Sequence, residues 1–265
     1  MVRQLVLGAM FAVLPLALAA ESAMAETSEE RGLAIAVEAD SRGVGFIDSK
    51  SSMEMILRNK RGDESRRKLR VKTLEKQGDG DMSLTIFDTP RDQKGTALLT
   101  HTHKDRSDDQ WLYLPALKRV KKIASKNKSG PFVGSEFAFE DMSAQEVEKY
   151  KYKWLRDETL EGQECFVIER YPVDKNSGYT RHVAWIDKAE YRTIQVEFYD
   201  RKKSLLKTLK MTEYAKFKDK FWQPLNLSMQ NHQTGKSTEL LMSNVSYQTG
   251  LKESDFSKNS LKRAR

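Results

Sequence analysis

The chain has 265 residues, 38% hydrophobic and 32% charged, with 46 Lys and Arg against 38 Asp and Glu and a formal net charge of +8. That length suits one large domain with an ordinary hydrophobic core, and a single cysteine, Cys165, excludes an internal disulfide. So charged a composition excludes a bundle of membrane spans and points to anionic partners.

Arg3 is a short positive region, Leu5 to Ala20 is apolar, and Ala23-Met24-Ala25 sets small residues ahead of Glu26, the pattern of a secretory signal peptide cleaved after Ala25. The apolar stretch is shorter than the ~20 residues a bilayer crossing needs, and Pro15 interrupts it. No cysteine lies near the cut to carry a lipid. The expected product, residues 26–265, is a single periplasmic domain, where lipid headgroups are more natural partners than nucleic acid.

After the cut, Glu29 to Asp48 reads as a helix, with acids in the first turns and apolar Leu33, Ala36 and Val37 spaced to cover a sheet. Strands then dominate. Met53, Met55 and Leu57 alternate with polar neighbours, as do Leu84 and Ile86, then Ile194, Val196 and Phe198, and Leu225, Leu227 and Met229. Turn signals at Gly62, Gly78-Asp79-Gly80, Thr89-Pro90, Glu161-Gly162, Asn176-Ser177-Gly178 and Thr234-Gly235 join about ten or eleven strands into an antiparallel meander. So long a sheet must curl or close to hide its edges and its apolar face.

The stretch from Trp111 to Asp141 is the most distinctive. Trp111-Leu112-Tyr113-Leu114-Pro115 reads as an aromatic strand, with Trp111 and Tyr113 on one face. Lys118-Arg119-Val120-Lys121-Lys122-Ile123 is a basic block that, with Lys126 and Lys128, places about six cations near one rim. Ser125 to Pro131 reads as a mobile loop. In Gly134 to Asp141, Phe137 and Phe139 alternate with acids, and Asp141 is placed to cap a short helix over residues 142–148.

These motifs, followed in order by Tyr152, Gly162 to Ile168, Tyr179-Thr180-Arg181, Trp185-Ile186-Asp187-Lys188 and Phe198-Tyr199-Asp200, resemble the outer-membrane lipoprotein-sorting (LolA-like) family, in its longer branch associated with resistance-nodulation-division exporters. The resemblance implies a mainly β fold with a few helices. In that fold a curved antiparallel sheet forms an unclosed half-barrel, LolA/LolB-like, covered by helices. It also implies a periplasmic carrier that binds acyl chains of a lipid or lipoprotein in an apolar cavity and delivers them toward an outer-membrane acceptor, alongside an inner-membrane exporter. An envelope-stress sensor of the same fold is the alternative reading, and a lipid- or wall-acting enzyme a third.

Signals for chemistry are sparse. His101 and His103 are spaced to face one way in a strand, with Asp105, Asp108 and Asp109 nearby, but no second cluster at ligand spacing completes a metal site. There is no nucleophile elbow, phosphate-cradling glycine loop or paired-cysteine motif. Cys165 lies in the apolar run Cys165-Phe166-Val167-Ile168 and reads as a structural thiol. No enzyme activity, cofactor or metal is expected. The expected cavity wall comprises Met53, Met55, Leu57, Leu84, Ile86, Trp111, Tyr113, Ile194, Val196, Phe198, Leu225, Leu227 and Met229, its methionines suiting a disordered chain. The expected headgroup or partner contacts are Lys118, Arg119, Lys121, Lys122, Lys126 and Lys128.

Overall fold

The computed structural model describes residues 26–263, so the expected secretory segment over residues 1–25 lies outside the described residues. Helix α1 (Ser28–Gly43) opens with a capping box in which the Glu30 N–H donates to Thr27 Oγ1 at 3.2 Å and the Thr27 N–H donates to Glu30 Oε2 at 2.8 Å. It stops short of the expected Asp48, because Val44 is extended and Gly45 takes a left-handed φ of 96°.

The strands β1 (Asp48–Arg58), β2 (Glu64–Leu74), β3 (Met82–Thr89), β4 (Ala97–His101), β5 (Asp109–Leu114) and β6 (Arg119–Lys122) lead to a passage over residues 123–149 that carries short 3-10 turns. Then come β7 (Tyr150–Leu160), β8 (Gln163–Pro172), β9 (Tyr179–Asp187), β10 (Thr193–Asp200), β11 (Leu205–Phe217), β12 (Phe221–Asn231) and β13 (Ser237–Tyr247). A short helix, α2 (Lys258–Arg263), closes the described chain. All thirteen strands form one antiparallel sheet in the order β6-β5-β4-β3-β2-β1-β13-β12-β11-β10-β9-β8-β7. The first and last strands pair, and the unclosed sheet has its free edges at β6 and β7.

The sheet is dry on both faces over part of its span. On the inner face Met53, Met55, Leu69, Phe87, Leu98, Ile168, Ile186, Val196, Phe198, Met229 and Leu240 share one core with Ile35 and Ala36 of α1 and with Phe132 and Phe137 of the connecting passage. Alternation sends the intervening residues outward. There Leu84, Ile86, Leu99 and Trp111 pack with Phe256 and with Leu261 of α2, and Cys165, Val167, Val183, Trp185 and Ile194 form a third cluster.

The face that α1 buries differs from expectation. Leu33 and Val37 are 46% and 49% exposed, while Gly32, Ile35 and Ala36 are buried. Gly32 explains this turn of the helix, since a Cβ built there would lie 2.6 Å from the backbone nitrogen of Trp154 in β7. Only a residue without a side chain lets the helix sit so close to the strand. Gly32→Val should therefore lift α1 from β7 and cost about 1–3 kcal/mol, as overpacking does; thermal melting checks this, and an unchanged midpoint would contradict the seating described.

Candidate functional site

Two things cover the inner face. Over β1 to β3 and β11 to β13 it is the chain's own passage, in which Phe132 N–H donates to Phe137 O at 2.7 Å and Pro131 bridges Ala138. Phe132 is fully buried, with its ring 5.7 Å from those of Phe87 and Phe139. Polar bonds from the sheet hold this plug. Lys207 Nζ meets Asp141 Oδ2 at 2.7 Å and Glu136 O at 2.8 Å, Tyr179 Oη donates to Asp141 at 3.0 Å, and Asn231 Nδ2 donates to Glu136 Oε2 at 2.7 Å. Gln110 Nε2 donates to Phe139 O at 2.8 Å, and Glu140 accepts from Ser177 Oγ and the Gly178 N–H.

Over β7 to β12 the cover is α1, and it leaves a cavity of about 500 Å³. That volume falls within the ~300–1,000 Å³ range of ligand clefts. Ala36 and Ala39 of α1, Ile168 of β8, Ile186 of β9 and Met211 of β11 give it an apolar run, continued by Phe221 and Trp222 of β12. Small residues on the helix leave room that larger ones would fill. Arg170, Tyr152, Arg42, Arg192 and Tyr214 are also in the lining. A second cavity of about 730 Å³, lined mostly by residues with charged or polar side chains, lies among residues 104–108, 125–128, 140–150 and 172–177.

The expected cavity wall is thus divided three ways. Met53, Met55, Leu57, Val196, Phe198, Leu227 and Met229 do lie on the inner face, but in the core shared with the plug, and none lines the 500 Å³ cavity. Leu84, Ile86, Trp111 and Tyr113 lie on the outer face beneath the C-terminal segment, and Leu112 takes the inner side instead. Ile194 is also outward, because the ladder slips between Thr193 and Gln195 and breaks its alternation with Val196 and Phe198. Leu225 lies outside the core clusters, opposite Glu213, whose φ of 55° interrupts the pairing.

The basic residues divide too. Lys118, Arg119, Lys121, Lys122 and Lys126 are exposed, the middle three on free edge strand β6. Lys122 pairs with Asp109 at 2.6 Å. Lys128 is buried and donates to Asp108 O at 2.6 Å, which corrects both its expected headgroup contact and the expected loop, since residues 125–127 form a 3-10 turn fastened through it. The expected helix over residues 142–148 is absent; Asp141 instead accepts from the Ala138 N–H at the end of a 3-10 turn, Phe139–Met142. His101 Nε2 lies 2.8 Å from Phe256 O and His103 Nδ1 lies 2.9 Å from Asp79 Oδ2, and among the described residues no three His, Cys, Asp or Glu converge to hold a metal. Cys165 is buried, and burial pushes its thiol up.

Asp40, Asp81, Glu146 and Glu148 gather with Lys104 beside the cavity, into which Asp40 and Asp81 open. Burial, aided by neighbouring acids, raises Asp81 to about 6 and Glu146 to about 7. Lys104 reaches Glu148 at 3.5 Å and offsets part of the repulsion.

The sequence's relatives match this architecture. A domain from Vibrio parahaemolyticus, named for outer-membrane lipoprotein sorting, is 58% identical, with a TM-score of 0.87 over 89% of this chain and 100% of its own. The chain belongs to that outer-membrane lipoprotein-sorting family. A DUF1329 family protein from Desulfovibrio piger is 28% identical with a TM-score of 0.83, covering 89% of this chain and 99% of that one. At 18% identity a LolA superfamily protein from Nitrosomonas europaea shares the fold, with a TM-score of 0.70 over 86% of this chain and 98% of its own. A family model described as "Uncharacterized protein" matches residues 79–263, and no curated protein matches the sequence. The LolA-like, unclosed sheet expected from the motifs is therefore the observed one.

The raised carboxyls set a pH dependence. Unfolded Asp and Glu ionise near pH ~4, whereas native Asp81 and Glu146 hold their protons to about 6 and about 7. The native state then binds more protons across that window, so these groups take away stability as pH rises through it. Glu146→Gln should flatten the fall in melting temperature between pH 5 and 8 in a pH series of thermal melts; an unchanged slope would contradict the assignment.

Proposed function

We propose that this protein is a periplasmic carrier that shields acyl chains of a lipid or lipoprotein and passes them to an outer-membrane acceptor, working beside an inner-membrane exporter of the resistance-nodulation-division type. The cavity beneath α1 carries this reading. Its apolar run of Ala36, Ala39, Ile168, Ile186 and Met211 is walled by a helix on one side and an unclosed sheet on the other, and family membership supports the carrier role. Burial of hydrocarbon supplies affinity at ~0.8 kcal/mol per CH₂, from which ordering costs are subtracted. A partly open, adaptable wall suits a ligand that must later be released. No covalent step is needed, so the reading is of a binding protein rather than an enzyme.

The edge strand β6 presents Arg119, Lys121 and Lys122 beside Lys118, a cationic strip fit to meet anionic headgroups. Cations on an exposed edge also discourage pairing with other chains. Membrane contact is the part that experiment separates. Changing Lys118, Arg119, Lys121 and Lys122 to Gln should weaken sedimentation with anionic vesicles and leave the melting temperature unchanged; undiminished sedimentation would remove this strip from the mechanism.

Native mass spectrometry of protein purified from the periplasm should find acyl-bearing lipid bound in wild type. Met211→Trp, which fills the cavity from β11, should reduce bound lipid about tenfold, while the volume-conserving Met211→Leu retains it. An empty wild-type protein that also excludes fluorescent acyl probes would overturn the carrier reading.

A further inference from the structure

We propose that Arg170 is the receptor for an oxyanion, carboxylate or phosphate, at the end of the hydrocarbon that occupies the cavity beneath α1; this rests on the carrier reading and adds the class of ligand to it. Arg170 projects from β8 into the lining of that cavity and is 8% exposed. Its Nη1 donates to Gln145 Oε1, while Nε and Nη2 are buried without a hydrogen-bond partner among the described residues. Those two donors share one edge of the planar group, the edge that receives a carboxylate or phosphate side-on.

A buried guanidinium stays charged and is costly unless an opposite charge meets it. None does here. The groups that favour its charged form are the hydroxyls of Tyr150 and Tyr152, both pushed upward by burial and neutral at physiological pH. Acids of the plug are committed elsewhere, Asp141 to Lys207 and Tyr179, and Glu140 to Ser177 and Gly178. The cross-strand neighbour His182 is also buried, held neutral by burial and then by Arg170 and Lys207, and so supplies no counter-charge. Near Arg170 the lining includes apolar residues. Ile168 lies two residues along β8, Ile186 pairs with Phe166 two residues further, and Met211 continues the same lining. An oxyanion at Arg170 therefore leaves its hydrocarbon tail along Ile168, Ile186 and Met211.

The test is calorimetric titration of the purified protein with hexadecanoate, hexadecyl phosphate and methyl hexadecanoate, which share a chain and differ in the end group. At least one anion should bind about tenfold or more tightly than the neutral ester, the scale of a charge-assisted pair, and the order of the two anions tells carboxylate from phosphate. Arg170→Gln should bring the favoured anion to the level of the ester. Wild type binding all three alike would overturn the role of Arg170 while carriage stands; binding none of them would overturn both. Should Arg170→Gln fail to fold, the wild-type ranking decides, and Arg170→Lys, which keeps charge but loses the fork, should retain part of the preference.

Discussion

An unclosed sheet with an apolar inner face must keep that face from water, and the rest of the molecule follows from how this is done. The sheet runs from β6 to β7 without closing, so residues 123–149, which join those edges, are also the chain available to fill the interior. They do so with Phe132 and Phe137 over one half of the face. The other half is left to α1, whose contact side is Gly32, Ile35, Ala36 and Ala39. Small side chains bring the helix close to β7 and leave unfilled volume over β8 to β11, and this is where the cavity lies.

The two covers are held in different ways. The plug is fastened by polar groups that rise from the dry face of the sheet, Lys207, Tyr179, Asn231 and Gln110, each meeting an acceptor on the passage. Removing one partner of a buried pair strands the other, which costs several times what the pair contributes on balance. The plug is therefore specified in position more than it is stabilised. Helix α1 rests mainly on shape, with ion pairs such as Arg31–Asp157 and Lys153–Glu29 near the surface, where such pairs contribute little. A ligand that displaces or shifts one cover meets less polar resistance at α1 than at the plug.

The sequence motifs named the architecture because strand alternation and turn residues are local signals, and the aromatic-basic-acidic stretch is specific to the family. The number of strands was less legible. β2, with Arg66, Arg67, Lys68, Arg70 and Lys72, hides a strand under charge, and β6 is four residues long and basic. Alternation also shows that one face is dry without showing what covers it. Leu84, Ile86, Trp111 and Tyr113 alternate as inner residues would, yet the C-terminal segment makes the outer face dry at β3 to β5. Ile194 was misplaced by a ladder slip that no residue type announces. Ala36 is legible as part of the helix face, but its meeting with Met211 in one cavity depends on how α1 is turned, and Gly32 decides that through contact with a strand more than a hundred residues away. Arg170 carried the clearest unused signal, a charge sharing the face of Phe166 and Ile168.

The account's central claim is that hydrocarbon enters beneath α1 rather than under the plug. Photolabelling with a diazirine-bearing fatty acid, followed by peptide mapping, separates the two directly. Label should fall on α1 near Ala39, on β8 near Ile168 and on β11 near Met211. Label concentrated on Met53, Met229 and Phe132, with α1 and β8 spared, would contradict the account.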